Sequence, residues 1–153
     1  MKKFYYLFLL LPFSLFVSCD KDDVSPVDMT LTMQGVTQSN NTFYTVIGEE
    51  VNIEYFSVKS IDGKNSAVTN VVFSLNGIPI MGEPGSPYIA SFSTENLKAG
   101  TYSINITGNL LQVDSSIQVF AINYPLTIVE NSEDLPAGAP DLGSYSQTIR
   151  VSD

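Results

Sequence analysis

Apolar and polar residues alternate along most of this chain. Met29, Leu31 and Met33 alternate with Thr30, Thr32 and Gln34, and Val51, Ile53 and Tyr55 with Asn52 and Glu54. Val71, Phe73 and Leu75 repeat the pattern, as do Tyr88, Ala90 and Phe92, then Tyr102, Ile104 and Ile106, then Ile117, Val119 and Ala121. A period of two belongs to a strand with one face buried. Gly48, Asp62-Gly63, Asn76-Gly77, Pro84-Gly85, Gly100 and Gly108-Asn109 fall between the runs, where turns need such residues. No segment beyond residue 19 carries a sustained helical stripe. The pattern predicts an all-β chain, an antiparallel β-sandwich of about seven strands over residues 29–124. Leu126 to Val129 and Tyr145 to Val151 also read as strands, with a loop from Leu135 to Pro140 between them. A strand pair makes no core of its own in water, so residues 125–153 are expected to extend the sandwich edge.

The amino-terminal segment has a different pattern. Lys2 and Lys3 precede an almost wholly apolar run from Phe4 to Val17, and Ser18-Cys19 closes it. A spanning helix needs about 20 apolar residues, and this run is shorter and contains Pro12. A charged start, a short apolar centre and a small residue before the cut describe a secretory signal over residues 1–18. With cysteine at the cut, the segment resembles the lipobox of bacterial lipoproteins. That resemblance implies that Cys19 is acylated and becomes the first mature residue. Each buried acyl methylene contributes about 0.8 kcal/mol, so two or three chains on one cysteine hold a protein at a membrane almost permanently. Asp20-Lys21-Asp22-Asp23 opens an acidic tether over residues 19–28. It resembles the lysine-plus-acid-pair export signal of Bacteroidota surface lipoproteins, which implies an outer-membrane, surface-exposed address. An aspartate directly after the cysteine is also similar to the inner-membrane retention signal of enterobacterial lipoproteins.

A second resemblance lies at Leu97-Lys98-Ala99-Gly100-Thr101-Tyr102. Leu97, Gly100 and Tyr102, with tyrosine opening a strand, resemble the penultimate-strand signature of immunoglobulin-like domains. In that family the tyrosine hydroxyl bonds backward to the main chain. Gly108-Asn109 followed by a strand from Ser115 to Ile122 is similar to the closing hairpin of bacterial immunoglobulin-like modules, and Gly48 to Ile53 to the start of their second strand. The chain has no tryptophan and no pair of cysteines, so the antibody-type core is excluded.

Charge and composition narrow the function. With Lys2 and Lys3 removed, five basic side chains face 16 acidic ones, a mature charge of −11. Such a surface repels nucleic acid and anionic lipid. The absence of histidine excludes imidazole bases and histidine metal sites. Acylation of the single cysteine leaves no thiol nucleophile, disulfide or thiolate zinc site. Acidic residues are scattered singly through turns at Asp62, Glu83, Glu95 and Asp114, where solvated loop charges are expected. Asp62 with Asn65, or Asp114 with Asn109, offers hard oxygen atoms for calcium, but turn chemistry explains both pairs, and no metal or cofactor is assigned. The chain is read as non-catalytic.

Sugar binding would need aromatic platforms. Phe43-Tyr44, Phe56, Tyr88, Phe120, Tyr124 and Tyr145 are the candidates. Phe56 and Phe120 stand out of phase with Val51, Ile53, Tyr55 and with Ile117, Val119, Ala121. They mark an outer apolar patch or burial beneath the carboxyl-terminal strands, the second being favoured. The leading expectation is a binding or adhesion module held to the membrane by its lipid. It would present the loops Asp62 to Ala67, Gly82 to Pro87 and Gly108 to Asp114 to a glycan or protein. The alternative is a structural accessory subunit of an outer-membrane nutrient-uptake or surface assembly complex, with Leu126 to Val129 or Tyr145 to Val151 completing a partner's sheet.

Overall fold

A computed structural model of the chain describes residues 25–139 and 141–152. Cys19 and the Asp20-Lys21-Asp22-Asp23 run lie outside them. The described residues form nine strands and a single turn of 3-10 helix. The strands are β1 (Val27–Ser39), β2 (Thr42–Val46), β3 (Glu50–Ser60), β4 (Ser66–Leu75), β5 (Ile78–Pro79), β6 (Ala90–Ser93), β7 (Gly100–Gln112), β8 (Gln118–Val129) and β9 (Gly143–Val151). They run in the order β5-β4-β7-β8-β2-β1-β3-β6, with β9 added on β1, as one curled sheet that makes a half-barrel. The all-β expectation therefore holds. The wholly antiparallel one does not, because β2 pairs with β8 in parallel, Phe43 opposite Leu126 and Val46 opposite Val129.

The reason lies in β1. Its first part pairs with β3, from Val27 opposite Ser60 to Gln34 opposite Asn52. At Gly35 the register breaks, and the strand's last residues pair with β2 instead, Thr37 opposite Tyr44. A hairpin through Asn40 and Asn41, both at positive φ, then sends β2 alongside β8. Gly35 has a φ of 80°, and a Cβ there would lie 2.2 Å from the Glu50 carbonyl oxygen. Thr45 Oγ1 donates to the Gly35 carbonyl at 2.8 Å and holds the corner from the other side.

Curling buries the inner residues of both halves against each other. Met29, Leu31 and Met33 of β1, Val51 and Ile53 of β3, Phe73 of β4, Ile104 and Ile106 of β7 and Ile122, Tyr124, Leu126 and Ile128 of β8 form one core. Phe56 spans the halves, stacked on Phe120 at 6.1 Å and edge-on to Phe73 at 6.2 Å. Tyr124 is wholly buried and donates its hydroxyl to the Met29 carbonyl at 2.8 Å. Burial raises the pKa of that phenol above its ordinary range, so it stays a neutral donor.

Two strands carry their faces differently from the pattern read in the sequence. In β3 the residues opposite Thr32 and Met33 are Tyr55 and Ile53, so Glu54 is the extra residue of a bulge. The inward series therefore passes from Val51 and Ile53 to Phe56, and Tyr55 turns outward at 47% exposure. In β8 the inward series is Phe120, Ile122 and Tyr124, while Ile117 and Val119 are 66% and 82% exposed. Phe56 and Phe120 are thus core residues, buried by the opposite half of the sheet rather than beneath the carboxyl-terminal strands.

Gly108-Asn109 makes no turn. It lies inside β7, Gly108 opposite Phe120, and a Cβ at Gly108 would stand 2.8 Å from the Phe120 ring. Glycine there makes room for a cross-strand aromatic, and the hairpin falls at Val113 to Ile117 instead. Leu126 to Val129 is the second part of β8, paired with β2 and β7. It does not pair with β9, which instead runs along β1 from Val27 opposite Val151 to Val36 opposite Gly143. The expected carboxyl-terminal strand pair is therefore absent.

Gly35→Ala should lower stability by about 2 kcal/mol or more, since it adds both backbone strain and a clash with main chain. Gly85→Ala, with nothing within 4 Å of the new Cβ, should stay within about 0.5 kcal/mol of wild type. Urea unfolding midpoints of the two variants check the contrast.

Candidate functional site

Strand directions give the body two poles. One holds Ser25, the end of β3, the start of β4, the β7–β8 hairpin and the end of β9. The other holds the β2–β3 turn, the Asn76-Gly77 hairpin, residues 94–99 and the segment after β8.

The first pole is built around Ser25. The Gln112 side chain acts as a neighbouring strand toward it: Ser25 N donates to Gln112 Oε1 at 3.2 Å, and Gln112 Nε2 donates to the Ser25 carbonyl at 2.9 Å. Ser25 and Gln112 are both buried. The Asp62 carboxylate accepts hydrogen bonds from the hydroxyls of Ser25 and Ser60 and from Lys64 N at 3.0 Å. These donors, the serine hydroxyls first, hold its pKa well below the usual carboxylate range. The place where the amino-terminal segment joins the body is therefore fastened to two loops at once. Ser25 and Gln112 carried no signal in the sequence beyond their polarity at strand ends.

One expectation changes here. The Asp62 to Ala67 and Gly108 to Asp114 segments reach the pole beside Ser25, not an end remote from it, since Asp62 and Gln112 bond Ser25 directly. The oxygen-bearing residues weighed for calcium, to which no metal is assigned, have other places. Asp62 is taken up by internal donors, and Asn109 lies mid-strand opposite Val119 while Asp114 sits in the hairpin with a φ of 63°. Among the described residues no group of three or more acidic, histidine or cysteine side chains is placed to hold a metal ion.

The signature residues sit at the other pole. Gly100 is the first residue of β7, opposite Ile128. Tyr102 donates its hydroxyl back to the Lys98 carbonyl at 2.9 Å, and Leu97 packs on the core edge. Tyr145 makes the same four-residue backward bond, to Asp141 at 3.1 Å.

Leu97 and Tyr102 also wall a groove of about 430 Å³ between β5 and β6, the two ends of the strand order. Its apolar lining includes Ile78, Pro79, Ile80 and Phe92, with Ile78 71% exposed. Met81, 91% exposed, separates this groove from a second hollow of about 490 Å³ that carries Glu54 and Glu83. Pro79 has no N–H to offer another strand, whereas β6 pairs with β3 on one side and on the other is met by a single bridge from Gly82 to Ala90. The flank thus combines an apolar trough, a strand edge bridged at Ala90 alone among its described residues, and two carboxylates. The unbroken Ile78-Pro79-Ile80-Met81 run after Asn76-Gly77 was its sequence signal.

Aromatic platforms for sugar are mostly consumed by the core. Phe43, Phe56, Tyr88, Phe120 and Tyr124 are buried, and Tyr88 donates its hydroxyl to the Val68 carbonyl at 2.6 Å. Among the described residues no helix is long and apolar enough to cross a membrane. No protein-family model matches this chain, and no curated protein matches it.

Asp62 should govern acid sensitivity at the Ser25 pole. Its folded pKa is depressed, so its contribution is fully present above the unfolded pKa near 3.9 and fades as pH falls below it. Asp62→Asn should therefore melt below wild type at pH 7, with the gap narrowing below about pH 4. Thermal melts of both proteins across that range check it.

Proposed function

We propose that this chain is a non-catalytic binding module of the outer cell surface, acylated at Cys19 and presenting its flank groove and acidic pole outward. The observation that carries the reading is the fastening of Ser25. Five residues separate it from Cys19, and Gln112 and Asp62 tie it to the body, so an anchor at Cys19 acts on one defined pole. Asp20-Lys21-Asp22-Asp23 serves as the sorting signal in this reading. The fold is an immunoglobulin-like variant with an added ninth strand. The backward Tyr102 bond, the facing packing of the β1/β3 and β7/β8 halves and the parallel β2–β8 edge support that assignment.

One observation favours an accessory subunit as a second reading. Leu126 to Ile128 are paired on both sides and cannot complete another sheet, but among the described residues β9 pairs with β1 alone. Its outer edge is open to a partner strand.

Two substitutions test the primary reading in cells. Cys19→Ser should abolish incorporation of a labelled fatty acid and release the protein from membranes. In the acylated background, Met81→Cys should react with a membrane-impermeant maleimide on intact cells. Labelling only after the outer membrane is broken would remove surface display.

A further inference from the structure

Nine large hydrophobic side chains are exposed among the described residues, and four of them, Ile61, Val113, Ile117 and Val119, gather at the Ser25 pole. Ile61 N donates to the Pro26 carbonyl at 3.2 Å, and Val113 N to the Asn65 carbonyl at 3.3 Å. Val119 shares a hollow of about 220 Å³ with Ser25 and Val151. The four therefore surround the point where the amino-terminal segment meets the body. Apolar side chains grouped on an exposed rim mark a contact surface.

The charges divide along the same axis. Among the described residues at this pole Lys59, Lys64 and Arg150 match Asp28, Asp62 and Asp114 in number, with Arg150 Nε 2.9 Å from Asp28 and Lys64 3.7 Å from Asp62. At the opposite pole Glu49, Glu50, Glu95, Glu130, Glu133, Asp134 and Asp141 face only Lys98 among the described residues. One end is apolar and electrically balanced, the other strongly acidic.

We propose that the Ser25 pole rests on the bilayer, with Ile61, Val113 and Ile117 entering the headgroup boundary and the acidic pole directed away. The proposal rests on the acylation of Cys19. From Cys19 to Ser25 the chain spans at most roughly 20 Å at about 3.3–3.6 Å per residue, so the apolar rim lies within reach of the surface that holds the lipid. Partial insertion of the apolar rim removes it from water, as the apolar face of an interfacial helix does. Charge balance leaves little repulsion to oppose the contact, while the acidic pole is driven from any anionic headgroup within a Debye length of about 8–10 Å. The body would then stand upright rather than swing on its tether.

Depth-dependent quenching tests this on the full acylated protein. Ser116→Cys and, at the acidic pole, Asn76→Cys are each labelled with an environment-sensitive fluorophore. Each is then reconstituted into phosphatidylcholine vesicles containing a shallow spin-labelled phosphatidylcholine. Quenching at position 116 should exceed that at 76 severalfold, and adding Val113→Asp with Ile117→Asp should bring it down to the level at 76. Equal quenching at both positions, with fatty acid confirmed on Cys19, overturns the proposal. So does a disulfide between two copies through Ser116→Cys, which would make the pole a self-association surface. Strong quenching at 116 in protein that carries no acyl group would instead sink the anchor and uphold the lipid-facing pole.

Discussion

Gly35 is where one strand stops serving one half of the sheet and begins serving the other. Every later feature depends on that change of partner. With a side chain at Gly35, the Glu50 carbonyl would have to move and β1 could not leave β3 at that point. β2 would then have no route to β8, and Phe43 would lose its place beside Tyr124. The crossing also lets Tyr124 reach the Met29 carbonyl, a hydrogen bond that ties the two halves through the middle of the core. A buried bond of this kind contributes about 1 kcal/mol, and leaving its partner unsatisfied costs more.

The core was legible wherever alternation had only one reading. Met29, Leu31 and Met33, Val71, Phe73 and Leu75, and Ile104 and Ile106 all face inward as their spacing implies. It was illegible where both phases are apolar. Residues 117–122 read equally well inward at Ile117, Val119 and Ala121 or at Phe120 and Ile122, and only the opposite sheet decides. Bulges defeat the pattern for another reason: one extra residue at Glu54 reverses the faces of everything after it. Gly108 illustrates a third case, a glycine kept for a neighbour's ring and not for a bend. The backward bond of Tyr102 was foreseeable from its motif, whereas the clasp of Gln112 on Ser25 joins residues too far apart for any local pattern to reveal.

The molecule's polarity follows from the same topology. Antiparallel neighbours bring the ends of β3, β7 and β9 together beside Ser25, and their short connections carry the exposed aliphatic residues. The connections at the other end, chiefly residues 130–142 after β8, carry most of the carboxylates. Neither segregation is visible in the linear order, where Glu49 and Glu133 stand 84 residues apart yet border one hollow. The flank groove starts at the acidic pole, at Asn76 and Leu97, and is bounded by the two strands at the ends of the sheet order.

The placement of β1 between β3 and β9 has a mechanical consequence. A pull arriving through Ser25 and directed along β1 loads two hydrogen-bonded ladders side by side, so many rungs must shear together before any gives way. Peeling rungs singly would take far less force. A module that must keep its grip while flow drags on whatever it holds would benefit from taking the strain along its most heavily paired strand.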